Sequence, residues 1–143
     1  MARVKKSIKI NLPVEKVFRY VNNPKNLPEI WQSLEKVKNI KELTNGGHSF
    51  DWEYKLAGMR FKGSTEVVEV VPNEHTVSIS TGGIESTLIW EYQAVEDGTI
   101  FTDNTEYKMP IPLLGKLAES FIAKVNENES EVFLANLKAK MEA

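Results

Sequence analysis

The chain has 143 residues, of which 41% are hydrophobic and 27% are charged, and its formal net charge is −2 at pH 7. This composition is ordinary for a globular protein, and the length predicts a single domain over residues 1–143. The slight negative charge argues against nucleic acid as a partner, and the absence of cysteine excludes disulfides and thiol catalysis. Residues 1–10 lack the apolar core of a signal peptide, and no apolar run approaches the roughly 20 residues that cross a bilayer, so we expect a cytoplasmic protein without stable membrane insertion.

The first part of the chain predicts a strand and two short helices. Residues 3–11 are predicted to form the strand, and Pro13 suits the first turn of the helix that follows. Four apolar residues of that helix recur at helical spacing: Val14, Val17, Phe18 and Val21. Asn23 suits the cap of the second helix, which is expected to begin at Pro24 and to extend to Ile30.

A run of six further strands is predicted next, separated by turn signals rich in Gly, Asn and Pro. Apolar and polar residues alternate most regularly from Phe50 to Leu56, as in a half-buried strand. The phase changes between Val37 and Ile40, which a β-bulge reconciles. The six predicted strands span residues 34–43, 48–57, 59–71, 75–81, 84–95 and 99–109.

The last element is predicted to be one long helix over residues 113–141, because apolar residues recur every three or four positions. Pro110 and Pro112 end the strand before it. Strands joined by short turns favour an antiparallel meander, and one apolar face predicts that a single side of the sheet is covered. An aromatic-rich antiparallel sheet closed by one helix is an α+β arrangement that can form a pocket for an apolar ligand.

Four segments of the sequence resemble a known superfamily. They are residues 7–18 (SIKINLPVEKVF), the stretch from Asn23-Pro24 to Trp31, residues 56–63 (LAGMRFKG) and residues 110–115 (PIPLLG). Their order and spacing resemble the helix-grip superfamily, which includes START lipid-transfer domains, birch-pollen-allergen-like proteins and the bacterial polyketide cyclase/dehydrase (SRPBCC) group. The resemblance implies a curved antiparallel sheet of six to seven strands wrapped around the C-terminal helix, with a cavity between them.

The inward side chains are the candidates for lining such a cavity. A buried Tyr hydroxyl or Trp N–H needs a partner, so several of them on one face suggest donors directed at water or ligand, unless their tips reach the rim of the sheet. For each residue taken singly, a plain packed core is the alternative. The predicted ligand-binding residues are Phe50, Trp52, Tyr54, Phe61, Leu88, Trp90, Tyr92, Phe101 and Tyr107 on the strands, and Leu117, Phe121 and Val125 on the helix.

Two polar residues, Asn128 and Glu129, interrupt the apolar stripe of the last helix. An unpaired buried carboxylate is costly, so Glu129 is expected to be paired, protonated, solvated in a cavity or rotated outward. Either the two residues form a polar anchor for the ligand, or the helix leaves the cavity there and both lie in bulk water.

The resemblance also implies an entrance near the short helices and the loops. Apolar residues there are expected to form a lid, a surface that docks transiently on a membrane, a contact for another protein, or a cap on the core. The predicted entrance residues are Leu27, Ile30, Trp31, Met59, Ile111 and Pro112.

Three functions remain open at this point. Binding or transport of a small hydrophobic ligand (a lipid, quinone, polyketide or similar molecule) ranks first. A cyclase or dehydratase that moves a proton with Tyr, Glu129 or water ranks second, and no catalytic residue is assigned because no acid–base pair stands out. A protein-interaction module ranks third and predicts a solidly filled interior. His48 and His75 lie far apart beside turns and are predicted to be surface residues, so we expect no metal site and no cofactor.

Overall fold

The computed structural model describes residues 2–56, 58–83, 85–108 and 115–143, although not the side chains of residues 2, 56 and 115–122. The chain begins with strand β1 (Ala2–Ile10), helix α1 (Val14–Val21), a 3-10 turn (Pro24–Asn26) and helix α2 (Leu27–Ile30). Six strands and a long helix follow, as predicted: β2 (Leu34–Glu42), β3 (His48–Leu56), β4 (Met59–Val71), β5 (His75–Gly82), β6 (Ser86–Val95), β7 (Gly98–Tyr107) and α3 (Gly115–Met141).

The seven strands form one antiparallel sheet in the order β1-β7-β6-β5-β4-β3-β2. Apart from the β1–β7 pairing, each strand pairs with its neighbour in sequence, as expected for a meander joined by short turns. The sheet curves around α3, and this confirms the predicted α+β helix-grip fold. The phase change in β2 is a real irregularity, because the register with β3 shifts between Lys38 and Lys41 and Asn39 has a φ of 55°.

The second half of α3 packs against β1 of the sheet and against the short helix α2. Its Phe133 ring lies 5.2 Å from the ring of Trp31 and 5.6 Å from that of Trp90. Phe101 of β7 is fully buried next to it, with ring centroids 6.0 Å apart. We call this region the packed end; its other fully buried apolar side chains are Ile10, Val17, Ile30 and Leu137.

No helix among the described residues is both long enough and apolar enough to cross a membrane. The long helix α3 instead alternates charged and apolar positions, and its exposed face includes Lys124, Glu127 and Glu131.

Candidate ligand-binding site

A cavity of about 110 Å³ lies at the other end of the sheet, between the inner faces of β3–β7, the short helices and α3. We call it the main cavity. Aromatic rings form much of its wall, and all three tryptophans of the chain line it. The only described residue of α3 that borders it is Asn126.

The main cavity exists because the centre of the sheet carries small side chains on its inner face. Thr65 of β4 pairs with Ser80 of β5, and Ser80 pairs with Ser86 of β6. Three neighbouring strands therefore carry only small side chains at the same level of the sheet. Gly63 continues this pattern, since a Cβ at Gly63 would overlap the ring of Trp52. Protein interiors are otherwise filled at close-packed density. Small residues on neighbouring strands therefore leave a space that the surrounding rings do not fill.

The buried carboxyl group of Asp103 accepts three hydrogen bonds and has no cationic partner among the described residues. Its Oδ1 accepts from Trp90 Nε1 at 3.1 Å and from Thr105 Oγ1 at 2.7 Å, and its Oδ2 accepts from Ser130 Oγ at 2.7 Å. Burial raises the pKa of Asp103, and the hydrogen bonds from Thr105, Ser130 and Trp90 oppose that shift.

A second space of about 50 Å³ adjoins Asp103, and we call it the side chamber. It shares part of its wall with the main cavity, including Trp31, Tyr54 and Tyr107. Glu129 also borders it and accepts a hydrogen bond from the hydroxyl of Ser33. Two acidic groups therefore lie beside the apolar cavity without bordering it.

The two cavity tyrosines act as neutral phenols. Burial raises the pKa of Tyr54, and the negative charge of Glu129 raises it further, while hydrogen bonding with Trp31 and Ser33 opposes the shift. Burial also raises the pKa of Tyr107, against a hydrogen bond from Asn126. Both hydroxyl groups therefore keep their protons at neutral pH and serve as hydrogen-bond donors.

The sequence matches one protein family over residues 1–142, a family described as polyketide cyclase/dehydrase and lipid transport. The chain belongs to this family. That membership confirms the resemblance drawn from the four sequence segments, and it supports a fold that binds hydrophobic ligands. No curated protein matches the chain closely enough to count as a relative.

Solved structures show the same fold at low sequence identity. The protein TTHA0849 from Thermus thermophilus is 20% identical, with a TM-score of 0.78 over 99% of this chain and 97% of that one. The Zhui aromatase/cyclase from Streptomyces sp. R1128 is 14% identical, with a TM-score of 0.80 over 99% and 93%. A START superfamily protein from Mycobacterium smegmatis is 14% identical, with a TM-score of 0.80 over 98% and 97%.

Most of the strand residues predicted to bind ligand in this family member do border the main cavity. Its lining includes Phe50, Trp52, Tyr54, Leu88, Trp90 and Tyr107. Tyr92 and Phe101 instead belong to the packed end, where their rings lie 5.2 Å apart. Phe61 and Val125 are partly buried against the core without bordering the cavity. The side chains of Leu117 and Phe121 lie outside the described residues, and ligand binding by the whole set stays a prediction.

The polar residue that α3 presents to the main cavity is Asn126, which the sequence analysis missed. Asn128 is exposed, and Glu129 is half-buried at the side chamber, so neither borders the main cavity. Counting back from the buried Leu137 by helical steps reaches Phe133, Ser130 and Asn126, and this spacing was the available signal. The prediction placed the inward stripe about a third of a turn away.

The predicted entrance residues lie in different environments. Leu27 and Ile30 are buried in the core, which corresponds to the alternative of a cap. Trp31 is half-buried against the cavity, and Met59 is exposed at the tip of the β3–β4 hairpin. Ile111 and Pro112 lie outside the described residues.

The two histidines differ from each other. His75 pairs with Glu69 at 2.8 Å on the outer face of the sheet. His48, in contrast, is half-buried and borders the main cavity, and its Nδ1 is buried without a hydrogen-bond partner among the described residues. The prediction of a surface position is therefore wrong for His48, because it lies two residues before the buried Phe50 on β3 and shares the inward face of that strand.

Proposed function

We propose that this protein binds a small, mainly hydrophobic ligand in the main cavity and serves as a carrier or receptor for it. The observation that carries this proposal is a cavity with aromatic walls and no Lys, Arg, Asp or Glu among its described lining residues. Membership in a family that includes lipid transport supports it. A solidly filled interior would have favoured the interaction module, so ligand binding ranks ahead of that function.

The volume of the main cavity limits the ligand. About 110 Å³ is close to the engineered cavity of about 150 Å³ that accepts benzene. It is well below the roughly 300–1,000 Å³ that drug-sized ligands occupy. A molecule of about one ring therefore fits without rearrangement. A lipid or a quinone requires the cavity to widen, and the half-buried Trp31, which borders both the cavity and the side chamber, is a wall that such a ligand would have to displace.

Apolar contact alone gives such a ligand little affinity. A single ring that buries about 200 Å² gains about 5 kcal/mol at ~25 cal/mol per Å². The lost freedom of association costs at least about 4 kcal/mol. The net gain is small, so polar contacts within the cavity decide which ligand binds usefully.

Two measurements test the binding proposal. Native mass spectrometry of gently purified protein is expected to reveal a co-purifying hydrophobic molecule. Since all three tryptophans border the cavity, a ligand is also expected to change their fluorescence in a screen of lipids, quinones and small aromatic compounds. Ser78→Leu, which fills the cavity, serves as the control that loses the response. An empty protein whose fluorescence responds to no compound in the screen would refute the proposal.

Catalysis of the cyclase or dehydratase type is the second candidate, and one observation favours it. The buried carboxyl group of Asp103, with its raised pKa, lies beside Tyr54 and Glu129 at the edge of the cavity. A carboxyl group of this kind exchanges protons at a higher pH than an ordinary aspartate, which suits general acid–base catalysis.

Loss of water from 4-hydroxybutan-2-one is a simple probe of this chemistry. A base removes the proton beside the carbonyl group, and an acid protonates the departing hydroxyl group, which leaves as water. If the protein is such an enzyme, Asp103→Asn is expected to slow turnover about 100-fold or more while the fold remains intact. Absence of turnover in the wild type, or full turnover in Asp103→Asn, removes this candidate.

A further inference from the structure

In strand β5 the two faces are reversed: its polar residues point into the protein and its apolar residues point to solvent. Its polar residues Thr76, Ser78 and Ser80 face the main cavity and are buried, with 3%, 6% and 6% of their surfaces exposed. Its apolar residues Val77 and Ile79 face outward, and Ile79 is 43% exposed. A strand whose inner face served only to fill a core would carry the apolar residues inside.

The inward hydroxyl groups differ in their partners. Ser80 Oγ lies 2.6 Å from Thr65 Oγ1, which also accepts from Trp52 Nε1 at 2.9 Å, so that group is satisfied within the protein. The hydroxyl groups of Thr76 and Ser78 form no hydrogen bond with any described residue. Both hydroxyl oxygens are open to the cavity rather than sealed in the protein interior, so a molecule in the cavity, either water or a ligand, supplies their partners.

A third unpaired atom lies in the same part of the cavity. Ser49 pairs with Glu66, which places the preceding His48 opposite Val67, and Val67 pairs with Ser78. His48 and Ser78 are therefore two strand spacings apart, about 10 Å. Thr76 lies on the same face as Ser78, two residues along β5. We call Thr76, Ser78 and His48 the polar strip.

Charge limits what can pair with the polar strip. No described residue that lines the main cavity is a Lys, Arg, Asp or Glu, and Asp103 and Glu129 border only the side chamber. A charged ligand would leave water with at most the imidazole of His48 as a counter-ion among the described lining residues, which is unfavourable. The apolar side chains beside the strip, including Trp90, which pairs with Thr76, and Leu88, which pairs with Ser78, favour the apolar part of the ligand.

We infer that the ligand is an uncharged, mainly apolar molecule whose hydroxyl or carbonyl oxygen hydrogen-bonds to Thr76 and Ser78 of the polar strip. This inference rests on the proposed binding function and specifies its ligand. A hydroxyl group can pair with the strip as donor and acceptor, and Nδ1 of His48 offers one further site. The aromatic wall provides affinity for any ring, and the strip selects the oxygen-bearing one.

The test uses three single-ring probes of similar size: phenol, toluene and benzoate. Their affinities are measured by nuclear magnetic resonance titration of the wild type and of Ser78→Ala, Thr76→Val and Thr87→Val. Thr87 is the matched control because its hydroxyl lies on the outer face, where Thr87 pairs with Ile79. Thermal unfolding of each variant shows whether it remains folded.

We expect phenol to bind the wild type about 10-fold more tightly than toluene, and benzoate not to bind. Ser78→Ala and Thr76→Val are each expected to reduce the preference for phenol by about 3- to 10-fold, the effect of one hydrogen bond. They should leave toluene affinity unchanged, and Thr87→Val should change neither.

The outcomes separate this inference from the proposal on which it rests. The role of the polar strip is refuted if the wild type binds phenol and toluene equally, or if both β5 variants keep the preference for phenol. Ligand binding in the cavity would still stand in either case. Failure of both neutral probes to bind the wild type overturns the inference, and silence in the full screen of lipids, quinones and small aromatic compounds overturns ligand binding as well. Tight binding of benzoate contradicts the neutrality of the ligand. Both β5 variants delete only an unpaired hydroxyl group, so they are expected to unfold at or above the wild-type temperature.

Discussion

The packed end and the cavity end of this protein are built from the same strands, yet they differ in what the inner side chains contribute. In β7, Phe101 is fully buried against Phe133, whereas Thr105 and Tyr107, a few residues further on, border the main cavity. In β6, Tyr92 packs against Phe18 and Phe101, whereas Ser86 and Leu88 border the cavity. The fold therefore concentrates apolar packing at one end and leaves space at the other. We expect substitutions at the two ends to separate stability from binding.

The largest effect is expected at the packed end. Phe133→Ala removes a ring that contacts Trp31, Trp90 and Phe101, and it is expected to lower the free energy of unfolding by about 3–5 kcal/mol. Denaturant unfolding measures this loss. Phe133→Leu, which retains most of the apolar volume, should lose much less. A loss below about 1 kcal/mol for the alanine variant would contradict the division into two ends.

Filling the cavity is expected to have the opposite effect. Ser78→Leu buries a new apolar side chain worth about 1.5–3 kcal/mol and removes an unpaired hydroxyl group, against an overpacking cost of about 1–3 kcal/mol. The free energy of unfolding should therefore stay within about 1 kcal/mol of the wild type or rise, while ligand binding is lost. Ile79→Leu, one residue away on the outer face, is the control and should bind normally. Strong destabilisation by Ser78→Leu would mean that this end is already filled.

Asp103 provides a pH-dependent test of the boundary between the two ends. Its raised pKa means that the folded protein holds this proton more tightly than the unfolded chain does, so its contribution to stability falls as pH rises from the ordinary aspartate value through the raised one. Asp103→Asn removes this dependence. The free energy of unfolding of the variant relative to the wild type should therefore rise between pH 4 and pH 8, as measured by denaturant unfolding at a series of pH values.

Asp97 is the control for that experiment. It is exposed, and its hydrogen bond with Lys9 lowers its pKa, so its contribution has the opposite sign and is lost as pH falls. Asp97→Asn should thus lose a little stability at neutral pH and nothing at low pH. Identical pH profiles for the wild type and Asp103→Asn would show that the buried carboxyl group is not held out of water.

The smallest effect is expected on the outer face. Ile79→Thr keeps a β-branched side chain on β5 and faces water, so it should change the free energy of unfolding by less than about 0.5 kcal/mol and leave ligand affinity unchanged. A large loss of stability in Ile79→Thr would indicate that another protein surface covers the outer face of the sheet. Size-exclusion chromatography of the wild type and of Ile79→Thr would reveal such an association.

The fold could be predicted from the sequence because alternation and helical spacing are properties of each segment alone. Phe50, Trp52 and Tyr54 gave the inner face of β3 correctly. The same rule would assign Val77 and Ile79 to the inner face of β5, whereas the cavity places Thr76 and Ser78 inside and Ile79 outside. Hydrophobicity assigns the inner face only when the interior is filled with apolar side chains, and here it is not.

The polar groups near the cavity were missed for related reasons. Asp103 shares the inward phase of Phe101 and Thr105, but a carboxyl group is normally assigned to the outer face. Asn126 was missed because the inward face of α3 was placed about a third of a turn away, around Asn128 and Glu129. Both residues would have been found by counting every second residue along the strand and every three or four residues along the helix, whether the residue reached is polar or apolar.

The most direct test of the central claim is a nitrogen–proton spectrum of the indole groups during titration with phenol. The chain has three tryptophans, and Trp31, Trp52 and Trp90 all border the main cavity. We predict that all three indole signals of the wild type move on titration and that they remain still in Ser78→Leu. Signals that stay still in the wild type, or that move equally in both proteins, would contradict the account.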